Sequence, residues 1–360
     1  MTGFPGALSL FFRALKAGMG AGSPFELNFA VTYRCCLRCR NCRIWEQPAQ
    51  NELTLEEIRK LAGRLKNFSW LRLTGGEPFL RPDFPQIVKA FQAGMPDLYL
   101  LSTPTNGFNP DLIFRQVKEI LPDLKSRYVV TVSLDGPPGV HDALRGVPES
   151  FARAMETYRQ LKSLESAFPN FRVFFGYTIQ PGNLGKFSSL LEEVKKDFPR
   201  LTADDFHVNL AQRSEVYYHN QEVEWEPDYA QEAAGEVKRI LKMRSFSLSP
   251  VGLIEDLYLR LGLKYLKTGL CPLACKAPWL SCFITPQGEV YPCTGLNRSL
   301  GNLREADFDL NFILNSPQAK KITQAIFQGK CPQCWTPCEA HQLIASRFLS
   351  ALLGALAKLA

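Results

Sequence analysis

Six runs of apolar and β-branched residues recur between residues 25 and 212, separated by segments with helical periodicity. Runs of this length are typical of buried strands, and amphipathic segments of about a dozen residues are typical of helices. The helical pattern is clearest at residues 53–66, where Thr54 and Glu57 have the spacing of a capping box. The predicted strands are FELNFAVTY (25–33), WLRLTG (70–75), LYLLST (98–103), YVVTVSLDG (128–136), FRVFFGYTI (171–179) and DFHVNL (205–210).

The alternation of these strands with helices predicts a parallel sheet. Further helical patterns occupy residues near 84–93, 110–121, 149–165 and 184–197. Periodicity alone leaves open whether the sheet is flat or curls into a partial barrel. In both cases the loops after the carboxyl ends of the strands converge on one crevice, where parallel α/β folds place their active sites.

The alternation ends near residue 212. Residues 222–266 are typical of polar-faced helices, and residues 271–340 hold seven cysteines among Pro, Gly and short strands. We expect this later module to be built around metal rather than a large apolar core. The predicted organisation is an N-terminal amphipathic segment (1–24), an α/β domain (25–212), a helical connector (213–270), a cysteine-rich domain (271–340) and a C-terminal amphipathic helix (341–360).

Composition indicates a folded protein large enough for one barrel-sized domain with an appendage, since its 360 residues are 46% hydrophobic and 21% charged. The net charge of +7 is scattered, so no nucleic-acid partner is expected. No stretch reaches the roughly 18 apolar residues of a membrane span. Arg13 and Lys16 lie within and after the first apolar run, which argues against a signal peptide. Eleven cysteines without a signal predict a reducing cytoplasm and thiols that bind metal.

Four of those cysteines lie within eight residues after the first predicted strand, in AVTYRCCLRCRNCRIW (30–45). Cys35, Cys39 and Cys42 form a C-x3-C-x2-C pattern, and Cys36 is an extra thiol that we expect to be a buried, small apolar group. A structural zinc site normally needs four N or S ligands, usually in two separated pairs. Three thiolates on one loop instead suit a cubane iron–sulfur cluster whose fourth iron is open to a ligand.

Glycine-rich and polar motifs follow the other predicted strands. Gly75 and Gly76 would let the backbone approach a ligand closely, and Glu77 beside them offers a carboxylate to a cation. The motifs are TGGEPFLRPDF (74–84) after the second strand, TNG (105–107) after the third, SLDG (133–136) with HDALRG (141–146) after the fourth, and GYTIQPGN (176–183) at the end of the fifth.

In this order the three-cysteine loop, Gly75-Gly76-Glu77-Pro78, Asn106-Gly107 and SLDG…HDALRG resemble the radical S-adenosylmethionine (SAM) superfamily over residues 25 to about 212. The resemblance implies an α/β fold, a partial (β/α)6 TIM-like barrel. It implies a [4Fe-4S] cluster whose open iron chelates the methionine amino and carboxylate groups of SAM. It also implies reductive cleavage of SAM to a 5′-deoxyadenosyl radical, which abstracts hydrogen from a substrate C–H bond.

The same resemblance implies roles for individual residues. Glu77 is expected to hold the methionine ammonium, Ser133 or Asp135 the ribose side, and Arg145 the carboxylate, while TIQP (178–181) flanks the adenine. Asn41 stands where the family usually has an aromatic residue, so we expect the backbone to hold more of the adenine. The full predicted set is Cys35, Cys39 and Cys42 for the catalytic cluster, and Gly75, Gly76, Glu77, Asn106, Ser133, Asp135 and Arg145 for the cofactor.

The later module resembles the SPASM and twitch extensions of radical SAM enzymes, which carry auxiliary iron–sulfur clusters. Cys275, Gly288 and Cys293 are similar to their C-x(9–15)-G-x4-C pattern, and CPQCWTPC (331–338) follows. The longer cysteine run of a full SPASM domain is missing. The resemblance therefore favours a twitch form with one auxiliary [4Fe-4S] cluster on Cys275, Cys293, Cys331 and Cys334. A second cluster is still possible, because four thiols remain: Cys36, Cys271, Cys282 and Cys338. A structural zinc ribbon is the alternative.

Both ends of the chain carry apolar stripes at helical spacing, flanked by basic residues. They predict either helices that cap the barrel or each other, or interfacial helices at the inner membrane face. Only about 24 residues precede the first strand, too few for the recognition domain that many peptide-maturing relatives carry in front of the barrel. The stripes are Leu8, Phe11, Phe12 and Leu15, with Arg13 and Lys16, and Ile344, Phe348, Leu352, Leu356 and Leu359, with Arg347 and Lys358.

We therefore predict a cytoplasmic radical SAM enzyme. Whether it also binds peripherally to the inner membrane face stays open. Its expected partners are a lipid or other small-molecule substrate and a reductant such as ferredoxin or flavodoxin. Asn209, Gln212 and Arg213, near the end of the sixth strand, are candidate substrate contacts. The alternatives are a peptide- or protein-modifying maturase, and a non-catalytic iron–sulfur or zinc-stabilised binding protein.

Overall fold

A computed structural model describes Ala14 and residues 24–245 and 249–356. All six predicted strands are present, and the first of them, β1, is buried along its whole length because it has sheet on both sides. Leu27, Phe29 and Val31 of β1 join the main apolar core. The strands are β1 Glu26–Thr32, β2 Trp70–Gly75, β3 Leu100–Thr105, β4 Arg127–Ser133, β5 Phe171–Ile179 and β6 Phe206–Leu210.

Helices follow these strands, as the alternation predicted. The first begins at the expected capping box: the Thr54 hydroxyl accepts from the Glu57 N–H at 3.2 Å, and the Glu57 carboxylate accepts from the Thr54 N–H at 2.8 Å. These two bonds satisfy N–H groups that the helix itself leaves free. The helices are α1 Leu55–Arg64, α2 Phe84–Gly94, α3 Pro110–Ile120, α4 Pro138–Arg145, α5 Ser150–Leu164 and α6 Phe187–Asp197.

The six strands form one parallel sheet in the order β6-β5-β4-β3-β2-β1. Within the described part of the chain β6 does not pair with β1, so the sheet is a partial barrel, as expected. All carboxyl ends of the strands lie at one rim. The loops after β1 to β5 carry the motifs singled out in the sequence, and the parallel register brings them together there.

The cysteine-rich module continues the same sheet instead of forming a separate body. Strand β7 (Ser281–Ile284) pairs in parallel with β1, and β8 (Glu289–Tyr291) and β9 (Gly301–Asn302) follow in antiparallel order. Gly288, at φ +88, closes the predicted hairpin turn, and its N–H donates to the Thr285 carbonyl at 3.0 Å. Ile284, Val290 and Leu303 are fully buried in the main core. The module thus shares the main apolar core, contrary to the expectation that it lacks a large one.

The predicted C-terminal helix is two helices that meet at Arg347. Ile344 and Ala351 are fully buried, and Phe348 and Leu352 pack against the core, so the described part of the stripe covers protein, as the capping alternative expected. The N-terminal stripe, Lys358 and Leu359 lie outside the described residues. The later helices are α7 Tyr229–Met243, α8 Pro250–Thr268, α9 Leu310–Leu314, α10 Pro317–Phe327, α11 Pro337–Ser346 and α12 Phe348–Leu356. None of the described helices is long and apolar enough to cross a membrane.

Candidate functional site

The loop with the three-cysteine pattern leaves the carboxyl end of β1 and is held first by the end of β2. The Gly76 N–H donates to the Thr32 carbonyl and the Glu77 N–H to the Arg34 carbonyl, both at 2.8 Å. A Cβ on Gly75, which has φ +142, would lie 2.2 Å from the Thr32 oxygen, and one on Gly76 would lie 2.3 Å from the Arg34 oxygen. The paired glycines are therefore required by this contact with the cysteine loop, a reason that the sequence did not reveal.

The end of α4 holds the same loop from a second side. The Arg38 N–H donates to the Arg145 carbonyl at 3.0 Å, and the Arg40 N–H donates to the Leu144 carbonyl at 2.9 Å. Gly146 has φ +70, and a Cβ there would lie 2.4 Å from the Arg38 oxygen. The HDALRG motif thus shapes the cysteine loop through its backbone.

A third contact comes from residues 211–225, which we name the bridging loop. Its Tyr218 carbonyl accepts from the Arg43 N–H at 2.8 Å. The Asn220 amide donates to the Asn41 carbonyl at 2.9 Å, and the Trp225 indole donates to the Asn41 side-chain oxygen at 3.2 Å. An aromatic side chain from elsewhere in the chain therefore lies beside the position where the family usually has one.

The thiols of Cys35, Cys39 and Cys42 are half-buried on this loop. Burial raises the pKa of the Cys35 and Cys42 thiols to about 12, so a cluster would have to displace their protons. The Arg145 guanidinium lies 3.8 Å from the Cys39 sulfur and can offset the negative charge of a thiolate-bound cluster. Three thiols and an adjacent cation suit the predicted [4Fe-4S] cluster.

Cys36 differs from the expectation of a buried apolar group. Its side chain is half-buried, and the Asn106 amide donates to its sulfur at 3.5 Å and approaches the Cys35 sulfur at 3.8 Å. The predicted Asn106-Gly107 turn is therefore in contact with the cysteine loop. The alternation of apolar and polar residues could not reveal this, because the two loops are about seventy residues apart.

Glu77 is buried, and its carboxylate accepts hydrogen bonds from the Thr105 hydroxyl at 2.9 Å and the Asn106 N–H at 2.7 Å. Burial nevertheless raises the pKa of Glu77 to about 7, against the lowering effect of these bonds. Among the described residues no Lys or Arg forms an ion pair with it. The pocket therefore holds a carboxylate that lacks a cation, which suits a ligand ammonium.

Asp135 is occupied by the protein itself. It accepts from the Thr178 N–H at 2.9 Å and the Gln180 amide at 3.0 Å, and it pairs with Arg145 at 2.7 Å. Its own N–H donates to His141 at 3.0 Å. Burial, followed by Arg145, lowers the pKa of His141 well below its usual range, so this ring is neutral and can accept that bond. The TIQP segment thus orients Asp135.

Ser133 and Arg145 keep polar groups for a ligand. Ser133 ends β4 opposite Gly176 and is half-buried. The Arg145 Nε is buried and has no hydrogen-bond partner among the described residues. Of the two residues predicted for the ribose side, Ser133 is the less engaged, because Asp135 already binds three protein groups.

A second thiol-rich site lies in the cysteine-rich module, around a cavity of about 300 Å³. The bridging loop contributes Gln212, Arg213 and Trp225 to its wall, and Glu339 and Trp335 also line it. Gln212 and Arg213, predicted as substrate contacts, therefore face this cavity. Its thiols are the four predicted ligands Cys275, Cys293, Cys331 and Cys334 together with Cys271, which the predicted set left out.

The other two thiols of the module, Cys282 and Cys338, do not line this cavity. Cys282 is fully buried on β7 opposite Leu27, and Cys338 is buried with Arg72 and Glu26 as charged neighbours. The Cys271 thiol lies 2.9 Å from the Leu273 carbonyl, to which it donates. The structure therefore offers one auxiliary site with one surplus thiol, and which four thiols bind the cluster stays a prediction.

The donor set of this cavity bears on the zinc alternative. Across the described ranges of the chain, no three His, Cys, Asp or Glu side chains are close enough to share one metal ion. Five thiols spread around a cavity suit iron at several corners of a cluster better than one tetrahedral zinc ion. Burial raises the pKa of Cys293 to about 12 and of Cys271 to about 11, so these thiols too would lose protons on binding metal.

Comparison with known families agrees with both sites. The model of the Radical SAM superfamily matches residues 29–185. The model of SPASM, an iron–sulfur cluster-binding domain, matches residues 275–338. The first match contains the cysteine loop and the polar motifs at the rim, and the second contains four of the five cavity thiols.

Curated relatives cover most of the chain at low identity. The antilisterial bacteriocin subtilosin biosynthesis protein AlbA of Bacillus subtilis is 25% identical over 86% of this chain, and the chain spans 65% of the length of AlbA. The mycofactocin maturase MftC of Mycobacterium ulcerans is 28% identical, and the match covers 88% of this chain and 81% of MftC. The AdoMet-dependent heme synthase of Nitratidesulfovibrio vulgaris is 24% identical, and the match covers 88% of this chain and 85% of the synthase.

Solved structures share the fold. Streptococcus suis SuiB bound to the precursor peptide SuiA has a TM-score of 0.57 and 18% identity, and the match covers 88% of this chain and 70% of SuiB. Native anSMEcpe with bound AdoMet has a TM-score of 0.56 and 14% identity, and the match covers 93% of this chain and 98% of anSMEcpe. Both likenesses show that this chain shares their fold, a partial barrel with a C-terminal extension.

Proposed function

Because this chain is a radical SAM enzyme with a SPASM-type domain, we propose that it modifies a peptide by abstracting hydrogen from an unactivated C–H bond. The family assignment implies a SAM-binding [4Fe-4S] cluster, SAM itself and an auxiliary iron–sulfur cluster. When bound, these groups supply the one-electron chemistry, and the protein binds, orients and excludes water.

The observation that carries this proposal is the shared wall between the two thiol sites. The bridging loop binds the cysteine loop through Asn220 and Trp225, and it lines the auxiliary cavity through Gln212, Arg213 and Trp225. A substrate bound at the rim would therefore lie near both redox centres. That arrangement suits a reaction in which a substrate radical has to be formed and then quenched.

Within the SAM site, Glu77 would hold the methionine ammonium, which would supply the cation that its carboxylate lacks. Arg145 would hold the methionine carboxylate, for which its unpaired Nε is available. Ser133 would face the ribose, while Asp135 would keep Arg145 in place through their 2.7 Å ion pair. Cys35, Cys39 and Cys42 would hold the cluster, and three backbone contacts preorganise their loop.

A peptide is better supported as the substrate than the expected lipid. The names of two relatives concern bacteriocin biosynthesis and a maturase, and SuiB, of the same fold, was solved with a precursor peptide. The lipid expectation relied on the terminal stripes, and the described part of the C-terminal stripe packs on the core. The relative named heme synthase makes a small molecule the second candidate, because it is matched over 85% of its length.

The test uses the reconstituted enzyme with SAM, a reductant and candidate precursor peptides that are deuterated at their side chains. We expect the peptide to stimulate SAM cleavage, its mass to change, and deuterium to appear in 5′-deoxyadenosine. A tetrapyrrole carboxylate and a phospholipid extract, deuterated in the same way, form parallel arms. Deuterium transfer from one of these arms, and none from the peptide, would reject the peptide proposal while leaving the radical SAM assignment intact.

A further inference from the structure

An aromatic pair lies exposed on the cysteine-rich module. Trp279 and Phe327 are each 38% exposed, and their rings meet edge to face with centroids 4.7 Å apart. The Lys276 ammonium stands over both rings, 5.7 Å from the centroid of Trp279 and 5.0 Å from that of Phe327. We name Lys276, Trp279 and Phe327 the Trp279 patch.

This patch is the outer side of the wall that encloses the auxiliary cavity. Cys275 and Ala277, the neighbours of Lys276 in the chain, line the cavity, and so does Ile326, the neighbour of Phe327. One layer of protein therefore separates the exposed aromatic pair from the cavity thiols. Trp279 and Phe327 are also among the few large apolar side chains that the described part of the chain exposes.

The chain segments that carry the patch are basic. Residues 269–288 and 310–338, which carry the patch and four of the five cavity thiols, contain four lysines and no Asp or Glu. Lys320 lies seven residues before Phe327 on α10, and this spacing places both on the same face of the helix. Exposed aromatic rings are typical of the centre of a protein interface. Cations around such a centre attract a partner of opposite charge.

We propose that the Trp279 patch docks a small acidic electron-carrier protein that reduces the auxiliary centre. The carrier gives up one electron, so that a flavin hydroquinone becomes the semiquinone, and the iron–sulfur centre of this chain gains that electron. The rings would form the apolar centre of the contact, and the lysines would steer the acidic partner. Electron-transfer contacts are among the smallest and weakest protein interfaces, and a small apolar centre with a basic rim matches that class. The proposal rests on the iron–sulfur centres and is independent of which substrate the enzyme modifies.

The competing surface is the cysteine loop itself, where Arg34, Arg38 and Arg40 are exposed. Its aromatic residue, Trp45, is half-buried, and the Arg38 guanidinium covers its ring at 4.8 Å from the centroid. That loop offers charge without an exposed apolar centre. The Trp279 patch offers both, which favours it as the docking site.

The test measures binding of a reduced bacterial flavodoxin to the reconstituted full-length enzyme by anaerobic calorimetry at low salt. We expect Trp279→Ser to weaken binding about tenfold or more, because aromatic residues at interface centres carry most of the affinity. Lys276→Glu should slow association and reduce its salt dependence. As a second readout, both variants should slow cluster reduction by flavodoxin while leaving reduction by dithionite unchanged.

Matched controls come from exposed residues elsewhere: Val251→Ser removes an exposed apolar side chain, and Lys66→Glu makes the same change of charge on the barrel. Both should bind flavodoxin like the wild type. Iron content and circular dichroism must equal those of the wild type for every variant compared, and Trp279→Phe serves if Trp279→Ser fails this criterion. Wild-type affinity in the patch variants, or loss of affinity only in Arg40→Glu, would overturn the proposal and place docking on the cysteine loop.

Discussion

At the scale of single residues, Glu77 shows how burial prepares a binding site. Its carboxylate is removed from water, bound by the Thr105 hydroxyl and the Asn106 N–H, and left without a cation, and its pKa rises to about 7. The sequence indicated this residue because a carboxylate follows two glycines after a strand. The partners Thr105 and Asn106 follow the next strand, so only the folded sheet shows them.

We predict that Glu77→Gln keeps the iron and sulfide content of the wild type and weakens SAM binding by about tenfold to a hundredfold. The neutral amide keeps the shape of the side chain but loses the charged hydrogen bond to the ligand ammonium, an interaction of roughly 1.5–3 kcal/mol. Equilibrium dialysis of the reconstituted protein with labelled SAM measures the affinity. Unchanged affinity at unchanged iron content would contradict the role given to Glu77.

A second prediction at this scale compares two glycines. In Gly76→Ala the new Cβ would lie 2.3 Å from the Arg34 carbonyl, a backbone atom that cannot move without the cysteine loop. We expect the free energy of unfolding to fall by about 1–3 kcal/mol and the radical SAM cluster to lose occupancy. Gly63→Ala is the control, because a Cβ added to this helical glycine would meet no neighbouring atom within 4 Å, and it should stabilise by about 0.5–1 kcal/mol. Equal iron content in both variants would refute the packing argument.

At the scale of elements, the sequence predicted the six strands, the capping box of α1 and the cysteine loop, because each has a local pattern. It did not predict that β7 pairs with β1, because the partners Glu26 and Ser281 are distant in the chain and a parallel pairing has no turn signal. Cys271 was left out of the predicted ligand set because the C-x(9–15)-G-x4-C pattern begins only at Cys275. Asp135 was identified as a site residue, but the protein groups that occupy it lie on the next strand and on α4.

Arg304 joins the cysteine-rich module to the start of α1. Its guanidinium binds the Glu57 carboxylate at 2.7 and 3.0 Å and the Asn51 carbonyl at 3.1 Å. The hydrogen bonds from Arg304 are the main cause that lowers the pKa of Glu57 from 4.5 to about 2. Because the pKa is lower in the folded state, the pair stabilises the fold above pH 4.5, and this contribution is lost as the pH falls from 4.5 towards 2.

We therefore predict that Arg304→Met lowers the free energy of unfolding by roughly 1 kcal/mol at pH 7, since the pair is partly exposed. The difference from the wild type should shrink as the pH falls below 4.5. Denaturant titrations across this pH range measure it. The control Arg59→Met breaks an exposed pair with Glu56 and should cost less than about 0.5 kcal/mol at any pH. A difference for Arg304→Met that stays constant down to pH 3 would exclude the ion pair as its cause.

At the scale of the whole molecule, one sheet carries two thiol sites. The barrel strands end at the cysteine loop, β7 extends the sheet into the cysteine-rich module, and the bridging loop touches both sites. This continuity explains why one loop can contact both sites, although more than two hundred residues separate Cys42 from Cys275. Spacing predicted each site, and the three-dimensional pairing of β1 with β7 brings them together.

The central claim, two iron–sulfur sites on separate thiol sets, is tested most directly by anaerobic iron, sulfide and zinc analysis of two reconstituted variants. One replaces Cys35, Cys39 and Cys42 with Ala, and the other replaces Cys275, Cys293, Cys331 and Cys334. The account predicts roughly eight irons in the wild type, roughly four in each variant, no stoichiometric zinc, and SAM cleavage lost in the first variant. A colourless first variant that binds one zinc per chain, or one that still cleaves SAM at the wild-type rate, would contradict it.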